Sequence, residues 1–169
     1  MINLKKKEET IVVPESNGPE HLGVGLGWDP DDNGQPFDLD ASAFMLGADG
    51  QIVDEPFFVF YNNPSSPDGA VMSSGDDRTG DSSDGGDDET LFVDVTLVDP
   101  RVQQIVFVAT IHEAEERHQS FGQVHNSFIR VYDQDTQEEI ARFNLGEDFT
   151  NETGVQAGRL YRDGSTWHF

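Results

Sequence analysis

Apolar residues along this chain fall in short runs of strand length separated by turn residues, and no long segment repeats them at i, i+3, i+4 and i+7. That pattern predicts an all-β protein. Strands are expected over 24–28, 39–46, 57–61, 90–98, 104–112, 127–133, 139–145, 158–161 and 166–169. Leu39, Ala41, Ala43 and Met45 alternate with Asp38, Asp40 and Ser42, and Leu91, Val93, Val95 and Leu97 alternate with Thr90, Asp94 and Thr96, so each strand has one core face. Residues 105–109 are uniformly apolar, which predicts a central strand covered on both sides. Asp-Gly pairs at 49–50 and 163–164 supply the positive φ of tight hairpin turns. Asp99 and Pro100 could open one helical turn, and 113–119 another. Together these elements predict a two-sheet β-sandwich.

Length limits this to one domain spanning 1–169, since 169 residues bury one good core but not two. Charge narrows the partners. Ten Lys plus Arg against 33 Asp plus Glu give a formal net charge of -23, which opposes binding to nucleic acid or anionic membranes and favours cations. The absence of cysteine removes thiol catalysis and thiolate metal sites. No signal-like segment or membrane-length apolar stretch is visible, so a cytoplasmic protein is expected.

The acids are concentrated. Residues 73–89 carry seven of them (Asp76, Asp77, Asp81, Asp84, Asp87, Asp88 and Glu89) against Arg78, with glycines at 75, 80, 85 and 86. A solvated acidic spacer is one reading. The other is a hard divalent cation, because Ca²⁺ takes six to eight oxygens from carboxylates, amides and backbone carbonyls on flexible loops. Asp38 and Asp40, at i and i+2 on one strand face about 7 Å apart, and Asn62 and Asn63 after an aromatic strand, add oxygens of the right kind. Asp29, Asp31 and Asn33 fit EF-hand spacing with Asp40 at the twelfth place, but Pro36 and the strand-like flanks argue against that motif. His112, His118 and His125 lack a short zinc spacing, and Ser42 lacks a nucleophile elbow.

Several segments together resemble the TerD family, named for tellurium resistance in bacteria: GLGWD (25–29), FDLDAS (37–42), FVFYNN (58–63), SPDGAV (66–71), GDDRTG (75–80), GDDE (86–89), FGQVHNSFIRV (121–131) and EIARFNL (139–145), then Glu152 and GRLYR (158–162). The resemblance covers nearly the whole chain. It implies a calcium-binding β-sandwich with about two ions at one edge, acting in stress response through protein partners of the same system. Carried over by motif, the implied metal residues are Asp38, Asp40, Asn62, Asn63, Asp76, Asp77, Asp87, Asp88 and Glu89. Asp77 stands where the family usually has Asn, and the loop between Gly80 and Gly86 is longer than usual. No catalytic residue is implied. The alternatives are a metal-dependent hydrolase using the same acids, for which no second catalytic motif is present, and a purely structural assembly protein. The acid excess also suits a salt-rich cytoplasm, since Asp133, Asp135, Glu138 and Asp163 lie outside every acidic motif.

Overall fold

A computed structural model describes residues 2–4, 20–28, 39–74, 88–112, 114, 124, 126–145, 154–164 and 166–169. These form eleven strands: β1 (Ile2–Leu4), β2 (His21–Gly27), β3 (Leu39–Leu46), β4 (Phe58–Val59), β5 (Val71–Ser73), β6 (Glu89–Asp94), β7 (Gln104–Ile111), β8 (Phe128–Asp133), β9 (Glu139–Asn144), β10 (Gly154–Asp163) and β11 (Thr166–His168). One sheet runs β1-β9-β8-β2-β6-β5 and the other β11-β10-β7-β3-β4. All pairings are antiparallel except β1 on β9, which is parallel.

The core lies between the sheets. Leu22, Val24 and Leu26 of β2, Leu91 and Val93 of β6, Leu39, Ala43 and Met45 of β3 and Ile105, Phe107 and Ala109 of β7 all belong to it. Alternation therefore assigned the faces of β3 and the first half of β6 correctly. Farther along, β6 stops at Asp94, whose Oδ1 accepts from Thr96 N (3.0 Å) and Thr96 Oγ1 (2.5 Å). This side-chain turn takes the chain off the pleat, and Leu97, expected in the core, is 51% exposed. Strand β7 is central in its sheet, yet Val106 and Val108 stay half-buried while Ile105, Phe107 and Ala109 are buried, so only one of its faces is fully buried. Its uniform apolarity marks an apolar outer face.

The predicted strands 158–161 and 24–28 begin earlier in the structure, at Gly154 and His21. Strands β1 and β5 were not predicted, because three residues are too few for a period-2 signal. Asp99 caps a turn, with its Oδ1 accepting from Arg101 N and its carbonyl from Val102 N at 2.9 Å each. The segment 113–119 lies outside the described residues. Gly50 and Gly164 have φ of +77° and +64°, as the Asp-Gly pairs require.

Asp68 ties two loops together. Its Oδ1 accepts from Ser66 Oγ (2.5 Å) and Ala70 N (2.9 Å), and its Oδ2 accepts from Asp99 N (2.9 Å). The SPDGAV motif is thereby a folding device, joining the connection before β5 to the one before β7.

Candidate metal centre

Strand direction brings three of the implied metal residues to one end of the sandwich. β2 finishes there at Gly27, β3 starts at Leu39, and β6 starts at Glu89. Leu26 pairs with Glu89 on one side and Ile129 on the other, so these three share the inward face. Glu89 is 5% exposed, and its Oε2 accepts from Ala41 N of the opposite sheet at 2.8 Å. Asp88 has the opposite strand parity and reaches sideways, where its Oδ2 accepts from Trp28 N at 2.9 Å. Two consecutive carboxylates thus anchor to different sheets.

Asp40 adjoins the amide that Glu89 binds. It lies on the outer face of β3, alternating with the buried Leu39 and pairing in register with Thr110 of β7. The acidic segment is closed at its base: Ser74 N donates to Thr90 O (2.8 Å), Thr90 N donates to Ser74 Oγ (2.9 Å), and Asp88 N donates to Leu26 O (2.9 Å). Ser74 and Asp88 are thereby both held at this end.

Tyr61 and Asn62 form the tip of a tight hairpin after β4 that Asn63 closes, with Phe60 N and O bonding Asn63 O and N at 3.1 and 3.0 Å. Because Ala43 pairs with Val59 and Phe44 with Phe58, this hairpin extends toward the Asp40 end of β3. The Asn63 Nδ2 donates to Phe58 O (2.7 Å) and Pro56 O (3.0 Å), a structural task that motif matching did not anticipate. Of its side-chain atoms only Oδ1 can serve a cation. Asn62 is exposed.

Asp38, Asp76, Asp77 and Asp87 lie outside the described residues, as do Asp29, Asp31, Asn33, His118 and His125. Among the described residues, no three His, Asp or Glu side chains form a group able to hold a metal. The donors present at this end nonetheless have the chemistry of a hard-cation site. Asp40, Asp88 and Glu89 offer oxygen alone, two of them already oriented by backbone N–H groups in the way outer partners orient metal ligands. Trp28 and Ala41 contribute only main-chain N–H, so their side-chain types carried no signal of this role. Ser127, 2% exposed and one residue before β8, has a hydroxyl without a hydrogen-bond partner among the described residues.

The opposite end holds a different cluster. His21 Nδ1 lies 3.1 Å from Asp135 Oδ2, and its Nε2 lies 3.2 Å from Asp94 Oδ2. The hydrogen bond to Asp135 and the charges of Asp135 and Asp94 raise the imidazole above its ordinary pKa, against a smaller opposing effect of burial.

A TerD domain family model matches residues 1–169. Tellurium resistance protein TerD of an Alcaligenes species is 50% identical over 169 residues, covering 99% of this chain and 87% of that protein. General stress protein 16U of Bacillus subtilis (strain 168) is 42% identical over 170 residues, with 99% and 87% covered. The crystal structure of a homologue of telluride resistance protein (TerD) from Streptomyces coelicolor A3(2) superposes with a TM-score of 0.72 at 24% identity, covering 89% of this chain and 86% of that one. The likeness in structure agrees with the fold, and the matches over nearly the full length show that this chain belongs to the TerD domain family, whose named members include tellurium resistance and stress proteins.

Proposed function

We propose that this protein is a cytoplasmic calcium-binding module of a stress-response system that works through protein partners and has no catalytic chemistry of its own. The observation that carries this reading is the pair Asp88 and Glu89, at the end of the acid-rich stretch 73–89, anchored to Trp28 N and to Ala41 N. Burying the Glu89 carboxylate is costly, and a cation at this end would add to the contacts that offset that cost. Asp40, Asp88, Glu89 and the Asn63 Oδ1 would supply oxygens, joined by Asp38, Asp76, Asp77, Asp87 and Asn62 to make about two sites. A bound Ca²⁺ would neutralise clustered acids and order the loops around them. The strand ends would supply part of the shell and loop oxygens the rest, and an irregular shell of that kind suits Ca²⁺ better than the strict octahedron of Mg²⁺. Resistance would then arise from partner binding. The chain has no thiol to supply electrons for reduction of an oxyanion.

Titration calorimetry of the full chain with Ca²⁺ and Mg²⁺ tests this directly. Calcium should bind more tightly, Asp40→Asn and Asp88→Asn should each weaken it at least about tenfold, and Asp135→Asn, at the other end, should leave it unchanged. Trp28 provides a second readout, since its backbone is bonded to Asp88 and its emission should respond to calcium. Equal losses from all three substitutions would mean that bulk charge rather than a defined site attracts the ion.

A further inference from the structure

The outer face of the five-stranded sheet carries an apolar patch that calcium binding does not explain. Phe44 of β3 and Phe58 of β4 are a cross-strand pair with ring centroids 4.4 Å apart, and Phe58 stacks on Phe60 at 4.6 Å. Tyr61, 51% exposed, meets Phe60 edge-on at 5.4 Å. Val106 and Val108, register neighbours of Phe44 and Ser42, extend the patch onto β7. All of these except Tyr61 are half-buried, and none faces the inter-sheet core. The stacked rings shield one another's faces and leave a ridge of edges and methyl groups.

Size and charge decide what fits it. From strand spacing and rise per residue, the β4-β3-β7 patch covers about 250 Å², well below the roughly 800 Å² per partner of a stable protein interface. A second copy would also bring another 23 net negative charges against the first. The rim is acidic at both ends of the ridge. Asp40 lies at one end on the same outer face, and exposed Asp54 and Glu55 precede Phe58 at the other. On the flank, Arg159 sits beside Val106, its guanidinium 4.7 Å from the Tyr161 ring centroid and bonded to Gln104.

We infer that this ridge docks a short extended segment of a partner protein, apolar at its centre and carrying Lys or Arg at both ends. The segment lies along β3 and β4, its apolar side chains against Phe44, Phe58 and Phe60 and its cations at Asp40 and Asp54–Glu55. This names the partner chemistry of the function proposed above, and it rests on the partner half of that reading without requiring calcium.

The test uses the full-length protein and three heptapeptides, each acetylated and amidated: Lys-Val-Phe-Val-Phe-Val-Lys, the same peptide with Glu at both ends, and Lys-Ser-Gly-Ser-Gly-Ser-Lys. Binding is followed by amide chemical shifts in EDTA and again with Ca²⁺, which should weaken it because Asp40 is also among the oxygens proposed for the ion. The Lys-flanked apolar peptide should give saturable shifts at Phe44, Phe58 and Val106, bind at least about tenfold more tightly than either control, and weaken about fivefold from 0.05 to 0.5 M KCl as screening sets in. Phe58→Ser should abolish binding. Should that variant fail to fold, Tyr61→Ser and Val106→Thr, each checked for native shift dispersion, should still weaken it severalfold. Equal binding by the Ser-Gly peptide would reduce the effect to charge. Equal binding by the Glu-flanked peptide would reduce it to apolar stickiness, and salt-enhanced self-association through the same residues would assign the ridge to a second copy. Each of these results overturns the inference, as does absence of shifts on this face. A protein that binds the peptide in EDTA yet takes no calcium would instead refute the calcium reading and leave the docking ridge intact.

Discussion

Asp68 shows how one carboxylate can decide the position of two loops. It accepts hydrogen bonds from Ser66 Oγ, Ala70 N and Asp99 N, and Ser66 itself is 4% exposed. Hydrogen bonds to a charged acceptor contribute more than neutral ones, and removing the acceptor leaves donors without partners. Asp68→Ala should therefore cost about 2–4 kcal/mol in urea unfolding, allowing for non-additivity among the three bonds; a loss below about 0.5 kcal/mol would show the donors finding water instead. His21 allows a signed prediction in pH. Its pKa is raised first by the hydrogen bond to Asp135, then by the charges of Asp135 and Asp94, so the protonated ring favours the folded state. That contribution is fully present below the unfolded value near 6.5 and is lost as pH rises through the folded value above it. The melting temperature of wild type relative to His21→Gln should accordingly be highest near pH 6 and shrink toward pH 8. In an NMR titration, Asp135→Asn should move the imidazole back toward its ordinary value; an unmoved titration would mean the contact does not persist in solution. Of the metal candidates at this scale, oxygen-bearing type and motif were legible. The anchoring of Asp88 and Glu89 was not, because the bonds span 60 and 48 residues and involve only the backbone of Trp28 and Ala41.

Strand-scale order follows from which residues leave room for which. In β2 the sequence HLGVGLG puts Leu22, Val24 and Leu26 inward and glycines outward. The Tyr132 ring of β8 lies over Gly23 so closely that a Cβ there would stand 2.2 Å from its Cζ. Gly23→Ala must push a ring that is 6% exposed, and should destabilise by about 1–3 kcal/mol as overpacking does. The same change in a Tyr132→Ala background should cost less. A double-mutant cycle in denaturant measures the difference, and purely additive effects would remove the contact from the explanation. The glycine run was visible in the sequence, whereas the ring that requires it lies on a strand 109 positions away by register (Gly23 to Tyr132). Strands with full alternation, β3 above all, were readable to the residue. Leu97 was misassigned because an Asp94 side-chain turn broke a pattern that continued only in composition. The uniform apolarity of β7 was read as double burial, although it reflects an outer face that carries the docking ridge.

For the whole molecule the question is how a chain with 33 acids holds together. An ion that binds only the folded state stabilises it by about 2.7 kcal/mol at a hundred times Kd, which for a domain of this size corresponds to about 5–10 °C in melting temperature. Screening is a separate effect, with a Debye length of about 3 Å in 1 M salt acting on every exposed acid. Chelation at low salt should lower the melting temperature by several degrees, and Ca²⁺ at a hundred times its Kd should restore it. The same concentration of KCl should do nothing, while molar KCl adds a further gain. Scanning calorimetry under these four conditions separates the causes: complete recovery by KCl with no added effect of calcium would make the acidic segment a solvated spacer.

The two ends of each sheet are treated unequally. Along β4 the Asn63 main chain and amide occupy Phe60 N and O together with the carbonyls of Phe58 and Pro56, and along β5 the preceding segment fills Val71 O, Val71 N and Ser73 N from Ser66 and Pro64. The exposed hydrogen-bonding row of both sheets is thus plugged on the side where β4 and β5 lie, leaving β1 and β11 as the outermost strands on the other. Growth of a fibre by strand addition needs two live edges per unit. With one edge plugged, each sheet can add a strand only at its other edge, and there its chain of additions stops.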